Sequence, residues 1–195
     1  LFIGISLGAN VLAARFYAAG KHKEMSETVH TSITTALVSG VIMIFVGVMF
    51  ARPALELMDT PSDVIDLATL YMRIYFVGMP FFMLYNYGAA ILRAVGDTKR
   101  PLIFLVVSGV TNACLNLLLV IVFKMDVAGV ATATIIAQAL SGILVIKCLT
   151  NSVSSYRVDI KSLKIHKDEL LLMIRIGLPA GLQGTVFSLS NVVIQ

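Results

Sequence analysis

Residues 101–123 read PLIFLVVSGVTNACLNLLLVIVF, a run of 23 residues without a charged side chain. A helix of about 20 apolar residues crosses the ~30 Å hydrocarbon core of a bilayer. Five further apolar stretches reach or approach this length: Leu1–Tyr17, Val29–Phe50, Ile65–Leu92, Val127–Leu149 and Leu170 to the end. A transmembrane β-barrel would instead show alternating segments of about 10 residues. The sequence therefore predicts an all-α polytopic membrane protein.

The overall composition also favours a lipid environment. Hydrophobic residues make up 58% of the chain and charged residues 13%, with a mean hydropathy of +0.92. Soluble proteins carry about 25% charged residues, and a soluble fold with the present balance would expose large apolar patches. Cys114 and Cys148 both lie in apolar stretches, which indicates free thiols rather than a disulfide framework. The lipid bilayer is the expected partner of most of the surface.

The basic residues fall in alternate loops. Twelve of the 15 Lys and Arg residues lie in or beside loops 18–27, 93–100 and 150–169. Cytoplasmic loops of membrane proteins carry such an excess of positive charge. We therefore expect these three loops in the cytoplasm and the chain in the inner (plasma) membrane. The longest loop is too short for a folded basic surface, so the net charge of +4 indicates no nucleic-acid partner.

Short and long connections suggest how the helices are grouped. Residues 91–101 read ILRAVGDTKRP, where Gly96 can end one helix and Asp97 or Thr98 can cap the next. Only the turn 124–126 separates the following two spans, so they are expected to form a tight antiparallel pair. The polar segment 151–169, called the linker below, is much longer. It predicts a boundary between helices in 1–150 and a separate helix in 170–195.

Polar residues at bilayer depth are the candidates for function, because each is costly unless it has a partner. Asn112 and Asn116 are four residues apart, so they share one helical face near the middle of their span. Their amide oxygens are potential ligands for a small cation such as Na⁺. The alternative is that they only bond neighbouring helices. Asn86, Thr134 and Tyr71 on other spans are their expected partners.

The sequence contains no pattern typical of an enzyme. A Walker loop, an H-E-x-x-H helix and a Rossmann glycine fingerprint are all absent from it. The three histidines are scattered without metal-ligand spacing. We therefore expect no catalytic residue, no resident cofactor and no metal site beyond a Na⁺ at Asn112 and Asn116. A transporter is favoured over an enzyme.

Five motifs, in order along the chain, resemble the multidrug and toxic compound extrusion (MATE) family. ILRAVGDTKRP resembles the signature between that family's fourth and fifth helices, and the Asn-xxx-Asn of Asn112 and Asn116 resembles its fifth-helix pattern. The remaining three motifs are LGANVLAARFYAAG (7–20), GVATATIIAQ (129–138) and IGLPAGLQ (176–183). They are similar to the second, sixth and seventh helices of the family. The resemblance therefore implies a fragment covering about helices two to seven of twelve.

The resemblance implies a two-lobe transporter. On this basis 1–150 holds helices two to six of a six-helix N-lobe whose first helix is missing. Residues 151–169 form the cytoplasmic inter-lobe linker, and 170–195 begin the first helix of the C-lobe. The family's members are secondary antiporters that export small organic, often cationic, drugs or metabolites. They exchange them for Na⁺ or H⁺ by alternating access, and a monomer is expected at full length.

The resemblance also implies roles for the polar residues. Asn86, Asn112, Asn116 and Thr134 fall where the family's N-lobe polar groups bind cation or substrate, and Tyr71 falls where a fourth-helix Tyr lines the same region. This chain departs from the pattern at Asn116, where many members have Asp. A neutral amide carries no proton, so a titrating group would have to come from the first helix.

Two other functions are compatible with the same pattern. A lipid-linked oligosaccharide flippase of the same superfamily should place several cationic residues in its cavity to hold pyrophosphate. A membrane scaffold subunit would have no substrate path at all, and its polar residues would serve only helix packing.

Overall fold

The computed structural model describes residues 2–194, apart from the side chains of residue 189 and residues 191–194. Within these residues the chain is helical, with no β-strand. The elements, in order, are α1 (Phe2–Ala18), α2 (His22–Leu57), α3 (Ile65–Val77), α4 (Met79–Ala94), α5 (Lys99–Leu117) with a π-helical turn (Leu118–Val122), α6 (Asp126–Thr150), a 3-10 turn (Ile160–Ser162) and α7 (Lys167–Ile194).

The helices have the length and apolar character of membrane spans. Four of them pass this test: α2, α5 with its π-helical turn, α6, and α7 over Lys167–Ser188. The pair α3 and α4 passes as a bent fifth span, and α1 is a shorter apolar helix. The prediction of an all-α polytopic membrane protein is confirmed.

The stretch Ile65–Leu92, expected to be one long helix, is divided. α3 ends at Gly78, and α4 begins at Met79 with an axis bent by 47°. Pro80 has no backbone N–H to donate, so it fits the first turn of a new helix better than the interior of a continuous one. A Cβ on Gly40 of α2 would overlap the backbone of Pro80. α2 therefore packs directly against the bend.

The predicted turn signals are borne out in detail. Gly96 adopts a left-handed φ of 86° after α4, and Gly20 one of 66° after α1. Asp97 caps α5, because its Oδ1 accepts a hydrogen bond from the backbone N–H of Arg100 at 3.1 Å. In the tight turn between α5 and α6, Lys124 and Asp126 both take positive φ values.

The helices cluster into two compact units. The first unit consists of the described residues up to Ala36, Leu84–Pro101, and the described residues from Val145 on. The second unit consists of Leu37–Met83 and Leu102–Leu144. The expected division into lobes at the linker stays a prediction. α7 begins at Lys167, inside the segment assigned to the linker.

Glycines bring α1 and α7 into backbone contact in the first unit. A Cβ on Gly8 would overlap the carbonyl of Met173, and one on Gly177 would overlap the carbonyl of Gly4. Gly4 likewise faces the backbone of Gly181. Small residues allow membrane helices to approach this closely, which increases their van der Waals contact.

This packing makes Gly177 intolerant of a side chain. We expect Gly177→Ala in the full-length protein to lower its Tm by about 3–8 °C, because overpacking a close contact costs roughly 1–3 kcal/mol. Gly184→Ala on the same helix is the matched control, since a Cβ there meets no atom within 4 Å. Thermal unfolding followed by size-exclusion fluorescence measures both, and equal Tm values for the two variants would contradict the close contact.

Candidate functional site

Three of the predicted site residues form one hydrogen-bonded group in the second unit. Asn116 Nδ2 donates to Asn112 Oδ1 at 2.8 Å. Asn112 Nδ2 in turn donates to Thr134 Oγ1 at 3.3 Å, which joins α5 to α6. The Thr134 hydroxyl donates to the backbone carbonyl of Val130 at 2.9 Å. We call Asn112, Asn116 and Thr134 the amide cluster.

The local sequence explains why the amide cluster forms. Ser108 lies one turn before Asn112 on the same face of α5, and its Oγ donates to the carbonyl of Ala137 at 2.6 Å. In the first half of α6, the buried residues Ala131, Ala133 and Ala137 have small side chains. α5 can therefore approach α6 closely enough for the amides to reach Thr134.

Two buried amide oxygens have no partner. Asn116 Oδ1 and Gln138 Oε1 are inaccessible to solvent, and neither has a hydrogen bond to any described residue. Gln138 Oε1 faces the bend between α3 and α4, since a Cβ on Gly78 would lie 2.6 Å from it. A buried polar atom without a partner costs about 1–3 kcal/mol. Such an atom is therefore poised to accept a cation or a donor group.

The amide cluster offers neutral oxygen ligands to a cation. Asn116 Oδ1 is unpartnered, and Asn112 Oδ1 accepts one hydrogen bond and keeps a second lone pair. Alkali ions in membrane proteins are coordinated by oxygen dipoles of this kind. No group of three or more His, Cys, Asp or Glu side chains suited to a metal occurs in the described part of the chain. The donor set therefore fits Na⁺, although these residues supply only part of a complete shell.

Asn86 lies in the first unit, on the wall of a cavity of about 690 Å³. Side chains of α1, α4 and α7 line this cavity, and its polar groups include Asn10 and Arg93. Asn10 Nδ2 donates to the carbonyl of Ala90 at 2.6 Å, and Tyr87 Oη donates to that of Phe2 at 3.0 Å. These two bonds fix α4 against α1 and hold the cavity wall in place.

Tyr71 is placed in different surroundings from the amide cluster. It lines an apolar groove of about 460 Å³ in the second unit, together with Leu67 and Val127. Its ring stacks on Tyr75 with a centroid distance of 6.1 Å and an interplanar angle of 17°. The structure thus brings Asn112, Asn116 and Thr134 together but places Tyr71 in an apolar groove. The roles of all five predicted residues remain predictions.

The predicted site did not include three polar residues that have prominent positions in the structure. Asn10 and Arg93 line the cavity, and Gln138 carries an unpartnered oxygen. An isolated Asn in the apolar stretch 1–17 was a usable signal for Asn10. Arg93 was counted as a loop charge, and only the packing of α4 against α1 shows that it faces a cavity.

A family model and two curated relatives identify the same family of proteins. The MatE family model matches residues 1–118. The chain is 33% identical, over 98% of its length, to the Probable multidrug resistance protein YoeA of Bacillus subtilis (strain 168), and 23% identical, over 96%, to the Multidrug export protein MepA of Staphylococcus aureus (strain MRSA252). It covers 43% and 42% of these relatives, so it spans less than half of their length.

Solved structures show the same fold. The crystal structure of MATE in the bent conformation aligns with a TM-score of 0.90 at 21% identity, over 96% of this chain and 42% of that one. An inward-facing MATE transporter of the MOP superfamily aligns with a TM-score of 0.84 at 21% identity, over 91% of this chain and 41% of that one.

Proposed function

Because this chain belongs to the MatE family of membrane transporters, which are not enzymes, we propose that it is part of a secondary antiporter. The complete protein exports small organic drugs or metabolites, in part cationic ones, in exchange for Na⁺ or H⁺. It works as a monomer in the inner membrane by alternating access of two lobes. Both relatives compared above are named for multidrug resistance or export, which supports this substrate class.

One observation carries the proposal: the buried, unpartnered oxygen of Asn116 in the amide cluster. A polar group at bilayer depth that only joined helices would be fully satisfied by its neighbours, since the lipid offers no substitute partner. Asn116 instead donates one hydrogen bond from its amide nitrogen and leaves its oxygen unpaired. A bound cation, or a cationic group of the substrate, would supply the missing partner of Asn116 Oδ1.

The chemistry of the amide cluster separates the two coupling ions. An amide oxygen coordinates Na⁺ directly but does not titrate in the physiological range. Na⁺ is therefore the ion that Asn112 and Asn116 themselves can hold. Coupling to H⁺ would require a titratable group other than these amides.

The cavity beside Asn86 has the size for a drug-like molecule. Ligand pockets of proteins have volumes of about 300–1,000 Å³, and this one measures about 690 Å³. Its walls combine apolar side chains of α1 with the amides of Asn10 and Asn86. Such a surface accepts varied organic molecules while its few polar groups orient them.

The flippase alternative is less well supported by the same cavity. Holding a pyrophosphate calls for several cationic side chains. Among the described residues that line the cavity, Arg93 is the one cation. The scaffold alternative leaves the unpartnered oxygen of Asn116 without a reason.

We expect Asn116→Leu in the full-length transporter to lower drug efflux about tenfold or more, because it removes a cation ligand. Efflux of a cationic dye from intact cells, normalised to protein in the membrane, is the measurement. Cys114→Leu is the matched control, since Cys114 lies on the same helix but is exposed. Normal efflux by Asn116→Leu at equal expression would refute the cation site.

The coupling ion has its own test. We expect an imposed Na⁺ gradient at constant pH to drive dye efflux from proteoliposomes, and Asn112→Leu to raise the Na⁺ concentration for half-maximal rate. Efflux that follows only a pH gradient would place the coupling ion away from the amide cluster.

The orientation can be checked with single cysteines in a background without Cys114 and Cys148. Ser154 in the linker and Ser62 in the loop before α3 are both exposed. We expect a membrane-impermeant maleimide to label Ser62→Cys in intact cells and Ser154→Cys only after permeabilisation, because the linker is basic. The reverse pattern would invert the topology.

A further inference from the structure

The linker is not a free tether, because hydrogen bonds fix it to α2 in the first unit. His30 Nδ1 donates to the carbonyl of Ser26 at 2.7 Å, which leaves Nε2 as an acceptor for the backbone N–H of Asp159 at 3.1 Å. Seven residues later the backbone N–H of His166 donates to Thr31 Oγ1 at 3.1 Å. Two consecutive residues of α2 therefore hold both ends of the segment 159–166.

Apolar contacts complete the attachment. Val158 is 2% exposed, and its backbone N–H donates to the carbonyl of Leu149 at 3.2 Å. The ring of Tyr156 meets that of Tyr17 edge-on, with centroids 6.3 Å apart. The inner side of the linker is thus packed against the bundle, and its outer side has a defined orientation.

The outer side combines exposed isoleucines with cations. Ile160 is 61% exposed and Ile165 is 42% exposed. Four exposed cations lie beside them in sequence: Arg157, Lys161, Lys164 and Lys167. We call these six residues the basic face. None of its four cations has a carboxylate within 4.0 Å among the described residues.

One carboxylate lies between residues 151 and 167, and it is already engaged. Asp159 Oδ1 accepts a hydrogen bond from the backbone N–H of Lys161 at 3.1 Å and caps the 3-10 turn. This bond, the hydroxyl of Ser162 and the nearby Arg157 hold the pKa of Asp159 below its ordinary value. Asp159 therefore stabilises the turn that presents Ile160 and Lys161, and it does not form an ion pair with the lysines.

The position of the basic face relative to the spans defines its surroundings. α6 ends at Thr150 and α7 begins at Lys167, so the linker joins two membrane helices at the same end. At that level the bilayer presents phosphate headgroups above the first carbons of the acyl chains. Apolar side chains that enter this boundary next to lysines are typical of surfaces that bind anionic membranes.

A second basic loop shows that positive charge alone does not produce such a surface. In loop 18–27, Lys21 lies 3.6 Å from Glu24, and Lys23 lies 4.0 Å from Glu27. Those lysines already have carboxylate partners on α2, whereas the cations of the basic face have none among the described residues. The two loops therefore differ in the charge that remains available to lipid.

We propose that the basic face is a binding site for anionic phospholipid headgroups of the adjoining leaflet. Lys161 and Lys164 contact the lipid phosphates, and Ile160 and Ile165 enter the boundary between headgroups and acyl chains. This interaction goes beyond the transport function, because it assigns a partner to the segment that connects α6 and α7.

The test compares two variants with the same change of charge in the full-length transporter. Lys161→Gln with Lys164→Gln removes two cations of the basic face, and Lys21→Gln with Lys23→Gln removes two ion-paired lysines of the other loop. Native mass spectrometry in detergent, titrated with phosphatidylglycerol or phosphatidylcholine, measures lipid retention. Each surface cation changes anionic lipid affinity about fivefold.

We expect the wild-type protein to retain phosphatidylglycerol in preference to phosphatidylcholine. The Lys161/Lys164 variant should bind phosphatidylglycerol about 25-fold more weakly, a factor of about five for each lysine, and the Lys21/Lys23 variant should resemble wild type. The Tm of the Lys161/Lys164 variant should stay unchanged, because backbone N–H groups and not lysines attach the linker to α2. Equal retention by both double variants, or equal retention of the two lipids by wild type, would overturn the proposal.

A further variant distinguishes binding of a free phosphate headgroup from binding of a membrane lipid. Ile160→Ser with Ile165→Ser keeps all four cations, so binding of soluble glycerol phosphate should not change. We expect this variant to lose several-fold in affinity for phosphatidylglycerol. An unchanged lipid affinity would show that the isoleucines do not enter the bilayer boundary and would overturn that part of the site.

Discussion

The backbone contact between α1 and α7 is the constraint on which the first unit depends. Gly8 and Gly177 allow the two helices to touch without side chains between them. In lipid, helices gain nothing from hydrophobic burial against each other, so such close packing supplies much of their attraction. Because α7 is held against α1, its first turn lies where the linker can reach α2. The same contact forms one wall of the cavity that Asn86 lines.

Hydrogen bonds from polar side chains of α5 hold α5 against α6 in the second unit. Ser108 bonds the backbone of α6, and Asn112 bonds Thr134 one turn further along α5. Two buried amide oxygens among the described residues of this unit, those of Asn116 and Gln138, remain without a partner. Such unpaired oxygens are available as acceptors for a ligand at bilayer depth.

Turns and helix caps were predictable where one residue type is strongly favoured by the local backbone conformation. Gly96 takes a left-handed conformation and Asp97 caps α5, as the motif 91–101 indicated. The division of Ile65–Leu92 at Gly78 was not predicted, because a proline in a membrane helix either kinks it or begins a new one. The pairing of Asn112 with Asn116 followed from helical spacing. The contact of Asn112 with Thr134 and the surroundings of Tyr71 did not, because the position of a side chain on its own helix does not identify the neighbouring helix.

The sequence by itself determined the class of protein and the approximate spans, because apolar length and loop charge are properties of contiguous residues. The family followed from the resemblance of five motifs in order along the chain. Tertiary structure decided which polar atoms are satisfied, that Arg93 faces a cavity, and that His30 and Thr31 bind the linker. Each of these depends on residues far apart in the chain, brought together by glycine and alanine contacts between helices. Spacing along one helix places a side chain on a face, and only packing supplies its partner.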